Sequence, residues 1–336
     1  MSRTLVTGAS GFIGGAIAAR LLDDGRAVRL LARDPTVLEG FAERGAETVA
    51  GDLLDPDSLA RAMAGCDLVY HVAGVNAMCV RDPRPMYEAN VIGTRNAVGA
   101  AAQAGVGRVV YTSSAATLGE AAGTTGSEFS PHRGAFLSHY ERSKYQAERA
   151  AFRVAGETGI ELVSVNPSSV QGPGRTRGTA RLILDYVNGR LRTLVRSRFS
   201  LVDVDDCVEG HLLAEERGQA GARYVLSGVT VSTEEAIATV ARITGIEHRT
   251  LNLPAPVALA AGGAVEVVGR VRGERPRLCR EMVATLLHGH AYDGSRAERE
   301  LGLRYKSFDE MVRRTLDWYE QEGMIAAYRS TLSNDG

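Results

Sequence analysis

Short apolar runs alternate with amphipathic stretches through the first half of the chain. The apolar runs predict strands at Thr4–Thr7, Ala27–Leu31, Glu47–Ala50, Leu68–Val72, Arg108–Thr112 and Leu162–Val165. Helical spacing of apolar residues predicts helices at Ile13–Leu22, Pro56–Ala64, Pro85–Ala104 and Tyr140–Thr158. Strands that alternate with helices form parallel sheets through right-handed crossovers, so this part predicts an α/β fold with a doubly wound parallel sheet.

The pattern changes after Pro167, where helical runs dominate. These runs are Ala180–Asn188, Asp205–Arg217, Thr233–Thr244, Ala255–Val271 and Ser307–Tyr319. One apolar run, Arg223–Leu226, predicts a strand that returns to the sheet. We therefore predict a doubly wound domain over residues 1–166 and a smaller, mainly helical lobe over residues 167–330, with the chain crossing back to the sheet near residues 202–228.

A glycine-rich segment, residues 7–14, follows the first predicted strand and opens the first helix. Gly8 permits a tight turn, Gly11 lets a phosphate approach the backbone, and Gly14 lets the helix pack closely on the strand. The helix N-terminus adds free N–H groups and a partial positive charge. The segment predicts a Rossmann-type dinucleotide site formed by Thr7, Gly8, Ser10, Gly11, Phe12, Ile13 and Gly14.

The end of the second predicted strand indicates which dinucleotide binds. NAD enzymes usually place an acidic residue there, which bonds the ribose 2′-hydroxyl. In this chain the position is Ala32, and the Arg33 that follows can bond a 2′-phosphate through its guanidinium group. The charges therefore favour NADP(H). The alternative is NAD(H), with Asp34 turned toward the ribose and Arg33 solvated.

Two further patterns supply candidate chemistry. Tyr140 and Lys144 are four residues apart, so they share one face of the predicted helix. The ammonium group of Lys144 can lower the pKa of the Tyr140 phenol, which then exchanges a proton at a reacting carbonyl. Ser114 follows the strand that begins near Arg108, and a hydroxyl at such a strand end faces the ligand crevice of a doubly wound sheet.

The order of these motifs resembles the extended branch of the short-chain dehydrogenase/reductase superfamily. Within that branch, the chain is most similar to dihydroflavonol reductase-like proteins and hopanoid-associated sugar epimerases. Further segments agree with the family: Gly51-Asp52-Leu53, His71-Val72-Ala73-Gly74, Asn90-Val91-Ile92-Gly93-Thr94, Asn166-Pro167-Ser168-Ser169-Val170, Gly172-Pro173-Gly174, Asp203-Val204-Asp205-Asp206 and Asp293-Gly294-Ser295-Arg296-Ala297. The resemblance covers nearly the whole chain.

The resemblance implies a role for each matching residue. Tyr140 becomes the general acid and base, Lys144 tunes it and bonds the nicotinamide ribose, and Ser114 orients the substrate oxygen. Ser114 is preferred to Ser113 because it has the family's spacing ahead of Leu118-Gly119, and Asn90 is expected to hold helix and strand together. The further cofactor-binding residues are Asp52, Leu53, Val72, Ala73, Gly74, Tyr140, Lys144, Asn166, Pro167 and Ser169. Substrate contacts are predicted for Asn76, Met78, Arg81, Ser114, Ser168 and Arg175.

The implied function is an NADPH-dependent oxidoreductase. It reduces a ketone of a mid-sized biosynthetic intermediate, or oxidises the matching secondary alcohol. One alternative is a sugar-nucleotide epimerase that retains NAD, and a second is a non-catalytic nucleotide-binding sensor. Dehydratases that resemble the family carry Thr-Asp-Glu where this chain has Ser114-Ala115-Ala116, so the acid for eliminating water is missing.

Charge and hydropathy limit the partners beyond a small-molecule substrate. The net charge is -1 and no long Lys/Arg run occurs, so no nucleic-acid partner is expected. The apolar run Pro256–Val268 is too short to span a bilayer, so no membrane partner is expected. The two long helices, near Tyr87–Ala104 and Tyr140–Ala155, either form a homodimer interface or bury their apolar residues within one chain.

Cysteine usage bears on compartment and metal binding. Cys66, Cys79, Cys207 and Cys279 have no metal-ligand spacing, and we interpret them as buried or idle thiols in a reducing compartment. No metal site is predicted. The chain enters its first strand with no signal peptide, so a cytoplasmic location is expected.

Overall fold

The computed structural model describes residues 3–274, 276 and 278–328. Its strands are β1 Arg3–Thr7, β2 Ala27–Ala32, β3 Glu47–Ala50, β4 Leu68–His71, β5 Arg108–Thr112, β6 Glu161–Pro167, β7 Ser169–Gln171, β8 Thr193–Leu194, β9 Arg198–Asp203, β10 Arg223–Leu226, β11 Val229–Ser232 and β12 Leu251–Asn252. Its helices are α1 Phe12–Asp23, α2 Glu39–Glu43, α3 Pro56–Met63, α4 Arg84–Tyr87, α5 Gly93–Gln103, α6 His139–Thr158, α7 Ala180–Val187, α8 Val204–Arg217, α9 Thr233–Thr244, α10 Ala255–Arg272, α11 Arg280–His288 and α12 Phe308–Gln321.

Seven parallel strands form the central sheet, in the order β10-β6-β5-β4-β1-β2-β3. The chain leaves β1 toward β2 and β3 on one side, then crosses over to β4 on the other side. This reversal opens a crevice at the carboxyl ends of β1 and β4, which is where doubly wound sheets bind nucleotides. The predicted fold class is confirmed, and the predicted return strand pairs with β6, Arg223 opposite Ser164.

Both faces of the sheet are covered by helices, because its strands alternate apolar residues between two cores. Val6 of β1 packs in a core with Ile17 of α1 and Val208 of α8. Leu5, the preceding residue, points into the opposite core with Val98 of α5 and Ala147 of α6. The apolar residues of α5 and α6 thus meet within one chain, and the homodimer stays a prediction.

Helices of the second half form a separate apolar cluster. It contains Leu184 of α7, Val240 of α9 and Leu316 of α12. Two small sheets accompany these helices, one in the order β11-β9-β7 and one pairing β12 with β8. The sequence pattern predicted none of these five strands. β7, β8 and β12 have only two or three residues, too few to show a period, and β9 and β11 pair with each other outside the central sheet.

One predicted helix is interrupted where it reaches the crevice. The stretch expected at 85–104 consists of α4, a π-helical segment Glu88–Ile92, and α5. The wider π turn holds buried Asn90, whose side-chain oxygen accepts from the Val75 N–H at 2.7 Å and whose amide donates to the Val75 carbonyl at 3.0 Å. Asn90 therefore fixes the loop after β4, in the supporting role expected for it.

The interpretation of all four cysteines as idle thiols is wrong for two of them. Cys79 and Cys279, 200 residues apart in sequence, form a disulfide that ties the loop after β4 to the start of α11. Cys66 and Cys207 are free and buried. Such a pairing depends on a contact between distant segments, which cysteine spacing does not reveal. In the part of the chain that the structure describes, no helix has the length and apolar character needed to cross a membrane.

Candidate functional site

The glycine-rich turn between β1 and α1 has the geometry that its sequence predicts. Gly8 has a φ of +78°, and a Cβ there would lie 2.7 Å from the Ala73 Cα of the neighbouring strand end. A Cβ on Gly14 would lie 2.2 Å from the Gly8 carbonyl oxygen, so only glycine lets the helix approach this closely. Gly11 is the N-cap of α1 without a side-chain cap, and the first turn holds no acid. The helix N-terminus is therefore available to an anion.

A cavity of about 1000 Å³ opens at the carboxyl ends of the central strands. The predicted residues that line it are Gly8, Ser10, Gly11, Phe12, Ile13, Gly14, Arg33, Asp52, Leu53, Val72, Ala73, Gly74, Asn76, Tyr140, Lys144 and Arg175. The predicted residues outside its lining are Thr7, Met78, Arg81, Ser114, Asn166, Pro167, Ser168 and Ser169. One continuous cavity thus collects the glycine turn, the strand ends and the Tyr-Lys pair.

Thr7 and Asn166 brace the strand ends around this cavity. The Thr7 hydroxyl is buried and contacts His71 Nδ1 at 2.9 Å, and it accepts from the backbone N–H of Val72 and Ala73, both at 3.2 Å. The Asn166 side-chain amide donates to the Ser114 carbonyl at 3.2 Å. Both are predicted to contact the cofactor, which stays a prediction; in the structure their polar side chains link neighbouring segments at the carboxyl ends of the strands.

Lys144 is buried at the base of the cavity. Its Nζ donates to the Thr112 carbonyl at 2.9 Å and to the Tyr111 hydroxyl at 3.1 Å. Burial lowers the pKa of the ammonium group to about 8, and the negative charge of Glu148 opposes that change. Sequence reasoning missed both groups: Tyr111 reaches Lys144 only through the packing of β5 against α6, whereas Glu148 lies one helical turn after Lys144 on α6 and could have been recognised from that spacing.

Tyr140 is half-buried, and burial raises the pKa of its phenol. Two groups oppose this effect: a hydrogen bond with the Ser114 hydroxyl, and the positive charge of Arg175. We expected Lys144 to lower this pKa, whereas in the structure the opposing groups are Ser114 and Arg175. Ser114 also caps the turn Ala115–Leu118, since its Oγ accepts from the Ala116 N–H at 3.3 Å.

The low pKa of Lys144 predicts a pH-dependent stability. Between pH about 8 and 10.5 the unfolded chain keeps the Lys144 proton and the folded chain releases it. Stability rises with pH wherever the unfolded state binds more protons, by up to about 1.4 kcal/mol per pH unit for one group. We expect wild type to gain unfolding free energy relative to Lys144→Met across this window. Urea unfolding of both proteins below and above pH 8 tests this, and parallel pH profiles would contradict it.

The end of β2 presents two opposite charges at the cavity rim. Asp34 caps the short turn Pro35–Leu38, where its carboxylate accepts from the Thr36 N–H at 3.0 Å and the Thr36 hydroxyl at 2.7 Å. These hydrogen bonds lower the pKa of Asp34. Arg33 is exposed and lines the cavity, and among the described residues no ion pair holds its guanidinium.

The remaining predicted substrate residues are divided between two regions. The Arg81 guanidinium donates to the carbonyls of Gly269 at 2.8 Å and Arg270 at 3.2 Å, which closes the C-terminus of α10. Arg81 also borders a second cavity, of about 940 Å³, together with Cys79, His139 and Cys279. Two other substrate candidates have separate settings: Met78 is half-buried, and the Ser168 hydroxyl is buried without a hydrogen-bond partner among the described residues. The hydroxyl of Ser169, which was predicted to bind the cofactor, lies 2.6 Å from that of Thr179.

Comparison with known families agrees with this geometry. The model of the NAD dependent epimerase/dehydratase family matches residues 4–227, which contain the glycine turn, Ser114 and the Tyr-Lys pair. The chain belongs to this family. The family is the extended branch of the short-chain dehydrogenases/reductases that the sequence motifs indicated, and the chain is therefore an NAD(P)-dependent oxidoreductase of that class.

Relatives extend the similarity over the full fold. A Synechocystis sp. protein provisionally named dihydroflavonol 4-reductase is 32% identical over 328 residues, covering 95% of each chain. A 4-hydroxy-2-methyl-3-oxo-4-farnesyl-3,4-dihydroquinoline-1-oxide ketoreductase of Stigmatella aurantiaca is 30% identical over 306 residues, covering 89% of this chain and 91% of that protein. The crystal structure of gox2253 has a TM-score of 0.82 at 34% identity, covering 97% of this chain and 100% of that one.

Proposed function

We propose that this protein is an NADPH-dependent reductase of a ketone in a mid-sized biosynthetic intermediate, with Tyr140 as its proton donor. One observation carries the proposal: Tyr140 and Lys144 line the same cavity as the glycine turn. Ser114 lowers the pKa of the Tyr140 phenol, which agrees with a role beside it. Two of the relatives described above are named as reductases of ketone-bearing substrates. The reverse reaction, oxidation of the matching secondary alcohol, uses the same groups.

The residues of the cavity fit a dinucleotide. Gly11 leaves the backbone open where a side chain would stand, and a Cβ there would lie 3.3 Å from the Gly8 carbonyl oxygen. The uncapped first turn of α1 offers N–H donors to a pyrophosphate, and Lys144 offers a buried cation for the nicotinamide ribose. When bound, the reduced nicotinamide supplies the hydride that the carbonyl carbon accepts.

The chain's own groups control the proton in this reaction. Ser114 and Tyr140 hydrogen-bond the carbonyl oxygen and polarise it. As negative charge develops on that oxygen, Tyr140 transfers its phenolic proton there, which leaves an alcohol and a phenolate. The positive charge of Arg175 stabilises the phenolate until solvent returns a proton, and Lys144 lines the same cavity one helical turn along α6.

A sugar-nucleotide epimerase is the second candidate, because the family's description includes epimerases. An epimerase keeps NAD bound and returns the hydride to the same substrate. A dehydratase would also need an acid after Ser114, but Ala115 and Ala116 occupy those positions. The non-catalytic sensor is a third candidate, which the complete Ser114, Tyr140 and Lys144 set disfavours.

The preference for NADPH rests on how the two charges after β2 are used. The Asp34 carboxylate accepts two hydrogen bonds from Thr36 and so caps the turn Pro35–Leu38, whereas the exposed Arg33 borders the cavity. A 2′-phosphate at this rim would meet a guanidinium that can form two charged hydrogen bonds. An NAD-specific site would instead need a carboxylate turned toward the ribose.

Arg33→Gln is expected to weaken NADPH binding about 10- to 100-fold, because it removes charged hydrogen bonds to the 2′-phosphate. Binding of NADH, which lacks this phosphate, is expected to stay unchanged. Fluorescence titration of both nucleotides measures the effect, with the exposed Arg61→Gln on α3 as the matched control. Equal losses for NADPH and NADH would contradict the assignment of Arg33.

The nucleotide carried by the purified protein separates the first two candidates. A net reductase exchanges its cofactor each turnover, so we expect protein free of retained nucleotide that oxidises NADPH when offered suitable ketones. Tightly retained NAD, released only on denaturation, would favour the epimerase instead. Nucleotide binding without turnover of any ketone or sugar nucleotide in the assay would favour the sensor.

A further inference from the structure

Three metal-ligating side chains meet outside the nucleotide cavity. His290 Nδ1 lies 2.6 Å from Glu120 Oε1, and His288 Nε2 lies 3.6 Å from the same oxygen. One ligand atom from each of the three residues can be chosen so that all lie within 4.8 Å of one another. We propose that Glu120, His288 and His290 form a binding site for a divalent transition metal ion such as Zn²⁺.

Burial and unused hydrogen-bonding capacity support the site. The Glu120 side chain is 1% exposed and that of His288 is 9% exposed. Glu120 Oε2 and His288 Nε2 are buried, and neither has a hydrogen-bond partner among the described residues. Buried polar atoms almost always have partners, so two orphaned atoms in one cluster need a cause. A metal ion bound by His288 Nε2 and by both oxygens of the Glu120 carboxylate would satisfy both.

The ligand types and spacings suit zinc. Two imidazoles and one carboxylate are a common Zn²⁺ ligand set, with bonds of about 2.0–2.2 Å. Tetrahedral bonds of that length place ligand atoms about 3.3 Å apart. The separations of 2.6 and 3.6 Å from Glu120 Oε1 lie on either side of this value, and the three ligand atoms all lie within 4.8 Å of one another, so side-chain rotations would bring them to tetrahedral spacing. Water, or the Tyr292 hydroxyl that lies 3.0 Å from His290 Nδ1, can supply the fourth ligand.

The positive charge of Arg133 lies near the proposed site and would oppose the binding of a cation. Arg133 donates through Nη1 to the Glu120 backbone carbonyl at 3.1 Å. Its other terminal nitrogen forms an ion pair with Glu141, whose carboxylate offsets the charge. The competing arrangement has no metal, and in it His290 keeps its 2.6 Å contact with Glu120. The two arrangements differ in whether Zn²⁺ binds.

The position of the cluster indicates a structural role for the bound ion. Glu120 follows the turn Ala115–Leu118 that begins at Ser114, and His288 is the last residue of α11. A shared ion would link α11 to the segment that carries Ser114. The sequence predicted no metal site, and this proposal departs from that prediction. That prediction rested on the spacing of cysteines, whereas the cluster contains none and joins Glu120 to His288 and His290, two residues apart but 168 positions further along the chain.

Zinc titration of the full-length protein tests the proposal. Protein stripped with EDTA and desalted is titrated with Zn²⁺ against a chromophoric chelator, and its Tm is measured with and without the ion. We expect one Zn²⁺ per chain and a raised Tm. His288→Gln and His290→Gln should each weaken binding about tenfold or more, since even the loss of an outer-shell partner costs that much. His248→Gln, which alters a histidine beside Tyr186, is the matched control and should bind as wild type does.

Co²⁺ binding is measured on the wild-type protein, so this second test does not depend on whether a variant folds. Co²⁺ bound to wild type by two imidazoles and a carboxylate should give visible absorption of a four-coordinate ion without thiolate charge-transfer bands. Thiolate bands would assign binding to cysteine and overturn the proposal. No Zn²⁺ binding by wild type, or equal binding by the folded His288→Gln and His290→Gln variants, would also overturn it.

Discussion

Tyr140→Phe is expected to lower the rate of ketone reduction about 100-fold or more, while NADPH binds nearly as tightly as before. The substitution removes the phenolic proton and the hydrogen bond with Ser114, and it leaves the ring in place. Without a positioned acid, the developing alkoxide must take its proton from water. The effect should therefore appear in the rate constant of the chemical step. Single-turnover measurements with a ketone that supports NADPH oxidation determine that constant.

Tyr145 provides a matched control on the same helix. Its hydroxyl accepts from Arg149 at 3.1 Å, and its ring packs with His132 and Phe136. Tyr145→Phe removes an equivalent hydroxyl from α6 and should leave the rate unchanged. Comparable rates for Tyr140→Phe and wild type would contradict the assignment of the proton donor. If no turnover is found in either protein while nucleotide binding is retained, the sensor becomes the better explanation.

Replacing both Cys79 and Cys279 by serine is expected to lower the unfolding free energy by about 2–5 kcal/mol. The disulfide joins residues 200 positions apart, so it removes many conformations from the unfolded chain. It also holds the loop after β4 against the start of α11, beside the second cavity. Urea unfolding of wild type and the double variant under oxidising conditions measures the difference.

Treatment with a reductant distinguishes the contribution of the disulfide to stability from the effect of replacing the two cysteine side chains. Wild type in dithiothreitol should approach the stability of the double variant, whereas the double variant should not respond to the reductant. Thiol titration in denaturant without reductant should find two reactive groups per wild-type chain, Cys66 and Cys207. Four reactive groups, together with a stability unaffected by dithiothreitol, would contradict the pairing.

Local patterns were enough to predict the central sheet and the glycine turn. Strands such as β1 and β5 are runs of apolar residues whose burial on both faces is encoded within a few positions. Gly8 and Gly14 could be predicted because a strand-to-helix turn around a phosphate has a fixed spacing. Tyr140 and Lys144 were recognisable because four residues make about one helical turn.

The surroundings of these residues could not be predicted in the same way. The low pKa of Lys144 follows from its burial against Tyr111 and Thr112, which lie on a strand more than 30 positions earlier in the chain. The use of Arg81 to close α10 depends on a contact across 188 positions. A sequence pattern records which residues are present, but not which distant groups will desolvate or neutralise them.

The sequence by itself determined the doubly wound sheet, the dinucleotide turn and the family, because each depends on periodicity or short spacing. The tertiary structure alone decided the disulfide, the small sheets, the capping of Thr36 by Asp34 and the meeting of Glu120 with His288 and His290. The physical reason is that hydrogen bonding, burial and charge pairing act between atoms in space. Residues far apart in the chain become partners only when the core brings their elements together.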